Sequence, residues 1–363
     1  MGAFTTIAGD PVVNAQTVER SSSPVRVVAA SRDDRARWDE YVSTCHEASG
    51  YHVWDWRAVF ELAFGHQAVY LMALRGEDVC GVLPLVLIRS ILFGRSLTSL
   101  PLLNYGGVVT ADDEAADALV AAAANVARTH RCGHVELRHR RRRFPALPVK
   151  QHKVAMLLDL GDATWGQLDK KVRNQIRKAQ KSGLTSHSGG RDLLSEFYAV
   201  FTRNMRDLGT PVYGKEFFDA VLRAFPDRTD VHLIRLDGRP VAAAISYRSG
   251  RTIEVPWASS VRDYNPLCPN HLLYWSIIEL AASRGLEVLD FGRSTPGEGT
   301  FKFKEQWGAR ALALHWEYIL ESRRTLPDTS PTNPKFQLAI ELWKRLPLPL
   351  ATRIGPRVVR GIP

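Results

Sequence analysis

The chain repeats one order of secondary structure in its two halves: a hairpin, a strand, a helix and a strand. The hairpin LMALRGEDVCGVLPL in the first half corresponds to HLIRLDGRPVAAAIS in the second, and the closing strand GHVELR corresponds to LEVLDFGR. Each hairpin has a short polar turn with a glycine, which is typical of a tight connection between strands. The repeat therefore predicts a duplicated domain of mixed strands and helices, with a cleft between the copies where ligands commonly bind.

Hydrophobic periodicity and turn residues place the individual elements. The first half is predicted to contain these strands and helices: Val25–Ala30, 33–64 with a break near Ser49-Gly50, Ala68–Leu74, Val79–Ile88, Leu97–Leu103, 112–130 and His134–Arg138. The second half is predicted to contain the corresponding set: Val231–Leu236, Val241–Tyr247, Arg251–Trp257, Asn270–Arg284 and Leu286–Phe291. We therefore divide the 363 residues into four predicted parts: a flexible leader at 1–24, an N-terminal domain at 25–148, a C-terminal domain at 149–322 and a tail at 323–363.

The composition limits the classes of partner and compartment. The 48 lysines and arginines outnumber the 38 acids and give a formal net charge of +10, which favours an anionic partner, although a basic surface also serves solubility alone. The four cysteines lie outside metal-ligand spacing of one another, and no N-terminal segment combines basic residues, an apolar run and a cleavage site. We therefore expect a cytoplasmic protein without a metal site, either free or at the inner membrane surface.

The tail combines apolar and basic residues. Apolar side chains stand near helical spacing at Phe336, Ile340 and Trp343, and no acid follows Glu341. This pattern suits a helix in the headgroup region of a membrane with a basic anchor behind it, and it equally suits a helix packed on the body of the protein. Peripheral membrane contact through 334–363 is therefore one of two predictions for this segment.

Two stretches are strongly basic. Lys170–Lys181 is predicted to be a helix, with Arg173 and Arg177 one turn apart on one face. An anionic substrate would offset the repulsion between these cations, but the pattern alone favours a solvated face. The run Arg138–Arg143 stands between the two halves, and here a solvated connector is favoured over an anion site.

Polar residues gather at two further places that a cleft could use. The helical pattern over 204–215 is broken at a glycine and a proline, and polar groups at such a break can point into a cleft. The weaker candidates for the acceptor side of a site come from this segment: Arg206, Tyr213 and Lys215. Asn270 and Tyr274 lie four residues apart on a predicted helix and can face the same cleft, as can Trp257 on the preceding strand.

The segment from Asp290 to Gly308 is the most unusual in composition. A strand ends, a glycine-rich loop follows, and then two phenylalanines alternate with Lys302 and Lys304. If this part is extended, the phenylalanines point one way and the lysines the other. A lysine at the end of a cleft strand can stabilise an oxyanion or hold a phosphate, and Arg293, just after the strand, can hold a substrate anion.

Several well-known catalytic signatures are absent from the sequence. The eleven histidines show no HExxH or related spacing, and GxSxG, Cys/His, Walker A and GxGxxG patterns are missing. Covalent hydrolysis, kinase chemistry and dinucleotide-dependent redox chemistry are therefore disfavoured.

Five motifs in order resemble FemAB-type transferases, and in particular the branch associated with exosortase/PEP-CTERM loci. They are GVLPLVLIRSILFGRSLTSLPLLNYGG, KVRNQIRKAQKSGL, RNMRDLGTPVY, VPWASS running on to YNPLCPNHLLYW, and DFGRSTPGEGTFKFKEQWGA, within roughly 25–320. The resemblance implies an α/β (α+β) fold of two GNAT-like domains in tandem. It also implies transfer of an aminoacyl or acyl group to an amine of a cell-envelope precursor such as one of peptidoglycan, with aminoacyl-tRNA as a donor.

The resemblance also implies roles for individual residues. By motif position, Lys304 is the lysine that assists the transfer, with Lys302 as the second choice, and the acceptor amine attacks the activated carbonyl directly. The family's arginine for a substrate phosphate falls near Tyr213, so this arginine is missing, which argues against a nucleotide-linked muropeptide as acceptor. The acceptor is then expected to be another anionic small molecule or a lipid-linked molecule.

Coenzyme A bound in the usual GNAT manner is disfavoured. Such enzymes bind pyrophosphate on a glycine-rich turn at the start of a helix, where backbone N–H groups point at the anion. The corresponding segment NPLCPNHLLYW has two prolines and no glycine, and NYGGVVTADDEAA places acids at the helix start. Two alternatives stay open beside the aminoacyltransferase: an acyl-CoA-dependent N-acetyltransferase for surface polysaccharide, and a non-catalytic module that binds an anionic polymer.

Overall fold

A computed structural model of the chain describes residues 23–91, 93–161, 165–321, 325–327 and 334–362, and the side chains of 334–336 are not described. All but the last two residues of the predicted leader at 1–24, and part of the predicted tail, therefore lie outside the described residues. Within these ranges, two seven-stranded sheets carry the fold.

The first half contains the elements that the repeat predicts. They are β1 (Val25–Ala29), α1 (Arg35–Thr44), α2 (Trp56–Phe64), β2 (Gln67–Arg75), β3 (Asp78–Ser90), β4 (Gly94–Thr98), α3 (Asp113–Thr129) and β5 (His134–His139). Asp112 begins α3, because its carboxylate accepts hydrogen bonds from the backbone N–H groups of Glu114 and Ala115. Small buried side chains, among them Ala116 and Ala123, let this helix pack closely on the sheet.

The second half follows the same plan with additional helices. Its elements are β6 (Val149–Lys150), β7 (Val154–Asp159), α4 (Lys170–Lys181), β8 (Thr185–Gly189), α5 (Leu194–Leu208), α6 (Lys215–Ala224), β9 (Thr229–Leu236), β10 (Arg239–Ser249), β11 (Thr252–Ser260), α7 (Pro269–Ser283), β12 (Val288–Ser294), α8 (Gly299–Glu305), β13 (Arg310–Ala313) and β14 (His315–Leu320). The basic helix α4 has the predicted bounds, and Val172, Ile176 and Ala179 are its buried residues.

The predicted repeat is confirmed by the strand pairing. In each half an antiparallel hairpin leads to a strand, a helix and a second strand that returns parallel to the first: β4 pairs with β5, and β11 pairs with β12. Both parallel ladders cover only three residue pairs. After Thr98 and Glu136 in one half, and after Glu254 and Asp290 in the other, the strands separate.

The second half contributes two strands to the first sheet, β6 and β14. The strand orders are β1-β2-β3-β4-β5-β14-β6 and β13-β7-β12-β11-β10-β9-β8, so β14, late in the chain, lies in the first sheet. The halves also share one aromatic core, in which the Tyr51 ring stacks on Tyr247 at 5.9 Å and Trp56 meets Phe225 at 4.9 Å. The division at residues 148 and 149 stays a prediction, but the sheets themselves are tied together across it.

Two predicted elements are wrong in detail. The strand expected at Leu97–Leu103 ends at Thr98, because Leu100 and Leu102 have positive φ angles and Arg138 Nη1 donates to the carbonyl of Leu103 at 2.8 Å. The extended segment expected around Phe301–Lys304 is the helix α8, which Glu298 begins with its backbone carbonyl accepting from the N–H of Lys302. Lysine and phenylalanine therefore do not alternate between two faces here.

Within the tail, residues 334–359 contain two helices that pack on the second half. They are α9 (Pro334–Lys344) and α10 (Leu348–Val359). Ala351, Gly355 and Val359 form the buried face of α10, and Gly355 lies so close to Val212 that a Cβ would stand 2.8 Å from its backbone nitrogen. The described residues include no helix that is both long and apolar enough to cross a membrane.

Candidate functional site

Corresponding strands of the two halves end with an acid followed by an arginine. In β5 these residues are Glu136 and Arg138, two apart in a regular strand, so they point to one face. In β12 they are Asp290 and Arg293, three apart. The pairing of β12 with β7 contains an extra residue between Asp290 and Arg293, at Gly292 with φ +75°. This bulge brings Arg293 to the same face as Asp290, as in the first half.

In the first half, Glu136 and Arg138 bind each other and further groups of the protein. Arg138 is 2% exposed and makes two contacts of 2.7 Å with one carboxylate oxygen of Glu136. Its Nη1 donates to the carbonyl of Leu103, and the hydroxyl of Tyr318 donates to the other oxygen of Glu136 at 2.9 Å. Burial would raise the pKa of Glu136, but the charge of Arg138 holds it below its usual range.

The acid in the second half is covered by a loop from the first half. The hydroxyl of Tyr105 donates to Asp290 at 2.5 Å, and the N–H of Gly292 donates to the other carboxylate oxygen at 2.7 Å. Beside it, Asn104 Nδ2 donates to Glu254 at 2.6 Å. Glu254 and Asp290 are neighbours on the paired strands β11 and β12. The two contacts from the loop join residues 150 and 185 positions apart, so the first half covers a carboxylate pair that lies in the second half.

Burial changes the charge of this carboxylate pair. It raises the pKa of Glu254 to about 8, with the neighbouring charge of Asp290 as the second cause. The pKa of Asp290 is also raised by burial, against the hydrogen bond from Tyr105. Two buried carboxyl groups side by side cannot both ionise readily, so near neutral pH the pair holds a proton.

Lys304 lies beside this pair at the end of β12. Its side chain is 7% exposed, and Nζ donates to the carbonyl of Gly292 at 3.1 Å and to that of Arg293 at 3.0 Å. Burial lowers the pKa of Lys304 to about 8, while Asp290 opposes the change. An ammonium group has three N–H donors, so two are used by the protein and one is left for another acceptor.

Arg138 has a carboxylate partner, Glu136, whereas Arg293 has none among the described residues. Among the described residues, no carboxylate lies within ion-pair distance of its guanidinium, which lies 5.8 Å from the ring centroid of Trp316. Arg138 lies over the same ring at 4.3 Å. Burial lowers the pKa of Arg293, and the charge of Arg138 adds to this. A cation removed from water is costly unless an anion accompanies it.

Two further groups are affected by the charge of Arg293. Burial raises the pKa of Tyr213, and the charges of Arg293 and Arg138 oppose that rise, so both cations act electrostatically on the phenol. Lys153 Nζ donates to Thr295 Oγ1 at 2.6 Å, and burial followed by the charge of Arg293 lowers its pKa. The space between the halves therefore carries an excess of positive charge. We use the name interdomain cluster for the residues that line it: Arg138, Lys153, Tyr213, Glu254, Asp290, Arg293, Lys304 and Trp316.

Comparison with known proteins shows the fold. Residues 167–305 match the family model described as acetyltransferase (GNAT) domain. The structure of FemX is similar with a TM-score of 0.61 at 14% identity, covering 87% of this chain and 100% of that one. A tandem GNAT protein from the clavulanic acid biosynthesis pathway is similar with a TM-score of 0.55 at 10% identity, covering 81% of this chain and 97% of that one. The fold is that of two GNAT domains in tandem.

One more solved structure agrees with this assignment. L-PGS from Bacillus licheniformis is similar with a TM-score of 0.52 at 10% identity, covering 88% of this chain and 98% of that one. No curated protein matches the chain in sequence. At these identities the likeness concerns the fold, and it confirms the predicted class of mixed α/β with two GNAT-like domains in tandem, which is an acyltransferase fold.

Three of the predicted site residues meet in the interdomain cluster: Lys304, Arg293 and Tyr213. Lys302 does not, because in the helix α8 it is exposed while Lys304 is buried. Asn270 Nδ2 donates to Ser260 Oγ at 3.0 Å, near the start of α7. Tyr274 is buried in the core of the second half, with its ring 4.9 Å from that of Phe291.

The other predicted site residues lie elsewhere. Trp257 is 4% exposed and packs edge-on against Phe217 and Phe218. Arg206 binds Asp207 at 2.7 Å and the carbonyl of Leu346 at 3.1 Å, so it holds the tail. Lys215 donates to Ser195 at 2.8 Å. On α4, which packs on α7, Arg177 lies 5.2 Å over the ring of Trp165, and Arg173 is half-buried on the same helix.

The cluster also contains residues that are not among the predicted site residues. The prediction of a solvated connector is wrong for Arg138, because this residue is buried in β5. The correspondence of GHVELR with LEVLDFGR places Arg138 opposite Arg293, so the repeat contains the signal for it. Asn104 and Tyr105 carry no such signal, since their partners are in the other half.

Proposed function

We propose that the protein transfers an aminoacyl or acyl group to an amine, with the reacting carbonyl held at the interdomain cluster. The observation that carries this proposal is the position of Lys304. Its ammonium group is fixed by two backbone carbonyls and keeps one N–H. A fixed charge in a place with little water is suited to an oxyanion, since it needs no reorganisation when the negative charge develops.

The reaction requires orientation more than a protein nucleophile. The free amine of the acceptor attacks the activated carbonyl carbon, a C–N bond forms, and the carbonyl oxygen gains the negative charge that Lys304 stabilises. The bond to the leaving group of the donor then breaks, and the attacking nitrogen loses a proton. Arg293 lies next to Lys304 and lacks a carboxylate partner among the described residues, so it is suited to an anionic group of the donor or acceptor.

The finer substrate assignment follows the motifs. We assign the chain to the exosortase-associated FemAB-like branch, with an amine of a cell-envelope or exopolysaccharide precursor as acceptor and aminoacyl-tRNA as donor. A second candidate, an acyl-CoA-dependent N-acetyltransferase, is favoured by the match of residues 167–305 to an acetyltransferase model. Incubation with labelled aminoacyl-tRNA and, separately, with acyl-CoAs, followed by mass analysis of the acceptors, separates the two. A non-catalytic polymer-binding module would yield no product with either donor.

Replacing Lys304 tests its role in the reaction. Lys304→Met keeps the length of the side chain and removes the charge, so transfer should fall by about 100- to 1000-fold, the loss expected for an oxyanion donor. The matched control is Lys302→Met on the same helix, because Lys302 is exposed and should leave the rate unchanged. Circular dichroism and the melting temperature check the folding of both variants. Full activity in Lys304→Met would show that the assignment is wrong.

The pH dependence gives a second test of the same residue. Because the pKa of Lys304 is about 8, its ammonium group is present at lower pH and is lost as the pH rises through this value. The acceptor amine must instead lose its proton before it can attack. As the pH increases, the rate should therefore first rise and then fall on the alkaline side. In Lys304→Arg the guanidinium stays charged, and the alkaline fall, centred near the pKa of about 8, should disappear from a profile of kcat/KM.

We also propose that the tail brings the protein to an anionic membrane surface, which suits a lipid-linked acceptor. On α9, Leu338 and Leu342 stand one turn apart and are 70% and 57% exposed. On α10, Leu350 is 43% exposed, and Arg353 and Arg357 share its outward side. Exposed leucines beside cations favour contact with acyl chains and anionic headgroups.

Flotation with lipid vesicles tests this membrane contact. The protein should float with vesicles that contain phosphatidylglycerol and remain below with pure phosphatidylcholine. Leu338→Asp/Leu342→Asp should abolish flotation, whereas a substitution at an exposed leucine far along the chain, Leu62→Asp, should not. Equal flotation of wild type and tail variant would exclude the tail as the contact.

A further inference from the structure

A cavity of about 290 Å³ lies between the halves, beside the interdomain cluster. Its wall includes four arginines, Arg138, Arg140, Arg141 and Arg143, together with one acid, Glu47, three histidines and, from the second sheet, Leu312. The run Arg138–Arg143, predicted to be a connector, therefore lines a cavity with every one of its residues except Arg142. Such a concentration of guanidinium groups needs an explanation of its own.

Two histidines of the cavity hold its wall in place. His52 Nε2 lies 3.0 Å from the carbonyl of Gly107, and its Nδ1 accepts from the N–H of Ser49. His139 Nε2 accepts from the N–H of Val108 at 2.9 Å, while Nδ1 lies 2.7 Å from Glu317. Since both nitrogens of each ring are occupied, these two imidazoles are not available as metal ligands. Burial lowers the pKa of His52 to about 4, so this ring is neutral.

Three of the four arginines have acidic partners. Arg138 is paired with Glu136, Arg141 with Glu47, and Arg143 with Asp113 at 3.1 Å. Asp113 is 94% exposed, so its carboxylate competes with water for Arg143.

Arg140 is the exception. Its guanidinium lies 4.3 Å over the ring of Tyr105, and among the described residues no carboxylate lies within ion-pair distance of it. Its charge nevertheless reaches the buried groups behind Tyr105, because it lowers the pKa of Glu254 and of Asp290 against the effect of burial. Arg140 is therefore a cation of the cavity wall that has no acidic partner among the described residues, since Glu47 is paired with Arg141.

We infer that this cavity binds a phosphate-bearing ligand, with Arg140 as the principal contact and Arg141 and Arg143 beside it. Guanidinium groups match phosphate oxygens in pairs of parallel hydrogen bonds, and one phosphate has enough acceptors for several arginines. A volume of about 290 Å³ accommodates a diphosphate group together with part of the molecule that carries it.

The place of the cavity links it to the reaction. One face of Tyr105 carries Arg140, and its hydroxyl donates to Asp290. A ligand held by Arg140 is thus separated from the carboxylate pair by one aromatic side chain. The description of this ligand as a substrate rests on the proposed function, but its binding can be measured without any transfer.

Calorimetric titration of the full-length protein with inorganic pyrophosphate at fixed ionic strength tests the inference. Wild type should bind, and Arg140→Ala should bind about tenfold more weakly or worse, as expected for loss of a charge-assisted contact. The matched control is Arg142→Ala, which removes the same charge from the same run but does not line the cavity. Arg140→Lys should bind with intermediate strength, and the melting temperature of each variant reports its folding.

Titrations with other ligands identify the kind of molecule that carries the phosphate. A nucleoside diphosphate that binds more tightly than pyrophosphate indicates a nucleotide, and glycerol 3-phosphate that binds more tightly indicates a lipid headgroup. Malonate should bind about tenfold more weakly than pyrophosphate or worse, because a carboxylate offers fewer acceptors. No binding by wild type, equal losses in Arg140→Ala and Arg142→Ala, or malonate binding as tight as pyrophosphate would each overturn the inference. None of these outcomes bears on whether Lys304 supports transfer.

Discussion

The two strand ends at the interdomain cluster show one pattern used in two ways. In the first half, Arg138 is closed off by Glu136 and by the carbonyl of Leu103. In the second half, Asp290 is engaged by Tyr105 and Gly292, and Arg293 has no carboxylate partner among the described residues. The acid and arginine that neutralise each other in one half are thus separated in the other.

The difference arises from a single inserted residue and its neighbours. Gly292 adds the bulge in β12, and its carbonyl, with that of Arg293, accepts from Lys304. The pKa values show the consequence, since that of Glu136 is held low by Arg138 whereas that of Asp290 is raised by burial. In a duplicated fold, the charges at one strand end can therefore pair and stabilise the protein, while at the other strand end a cation is left for a ligand.

The largest expected effect comes from removing the arginine of the buried pair Glu136 and Arg138. Arg138→Met leaves Glu136 buried without its cation, which should lower the free energy of unfolding by about 3–5 kcal/mol. Urea unfolding followed by tryptophan fluorescence measures this change. The double variant Glu136→Gln/Arg138→Met should recover part of the loss, because no uncompensated charge remains. If the double variant is as unstable as the single one, the pair does not act as a unit.

The opposite outcome is expected when Arg293 is replaced. Arg293→Met removes a half-buried cation that has no carboxylate partner among the described residues, so the free energy of unfolding should stay the same or rise. Transfer should nevertheless fall by about 10- to 100-fold in kcat/KM if Arg293 holds a substrate anion. Loss of stability with unchanged kinetics would reverse the roles given to the two arginines.

Much of this fold can be predicted from the sequence. The hairpins, α3, α4 and α7 have strong periodicity and clear end signals, and the structure places them within a few residues of the predicted bounds. The order of elements repeated in both halves then predicts the duplication. The candidate role of Lys304 follows from its position in a family motif, and that of Arg293 from its place just after the predicted strand, so both depend on local sequence.

The parts that cannot be predicted depend on contacts between distant residues. Lys304 and Lys302 have the same local pattern, and only the helical form of α8 buries one and exposes the other. Tyr105 belongs to the site through Asp290, which is 185 positions away. Arg138 resembles the start of an exposed basic run, because the strand β14 that covers it comes from the far end of the chain.

The smallest expected effect tests the bulge that separates the two strand ends. Gly292 has φ +75°, and a Cβ at this position would lie 3.3 Å from the carbonyl oxygen of Val255. Gly292→Ala should therefore cost about 1–2 kcal/mol in the free energy of unfolding, the usual cost of a left-handed conformation for a residue with a side chain. Urea unfolding measures this cost.

Gly292→Ala should also change the pH dependence of the reaction, although its effect on stability is small. Relief of the strain at Gly292 shifts the carbonyls that hold Lys304, so the alkaline fall in the pH profile of kcat/KM should move away from a pH of about 8. Gly250→Ala is the matched control, because it also has a positive φ, +54°, but has open space around the added Cβ. It should show a similar loss of stability and an unchanged pH profile. If both variants alter the profile alike, the bulge has no special part in holding Lys304, and the contrast between the two strand ends must come from Tyr105 and Asn104 alone.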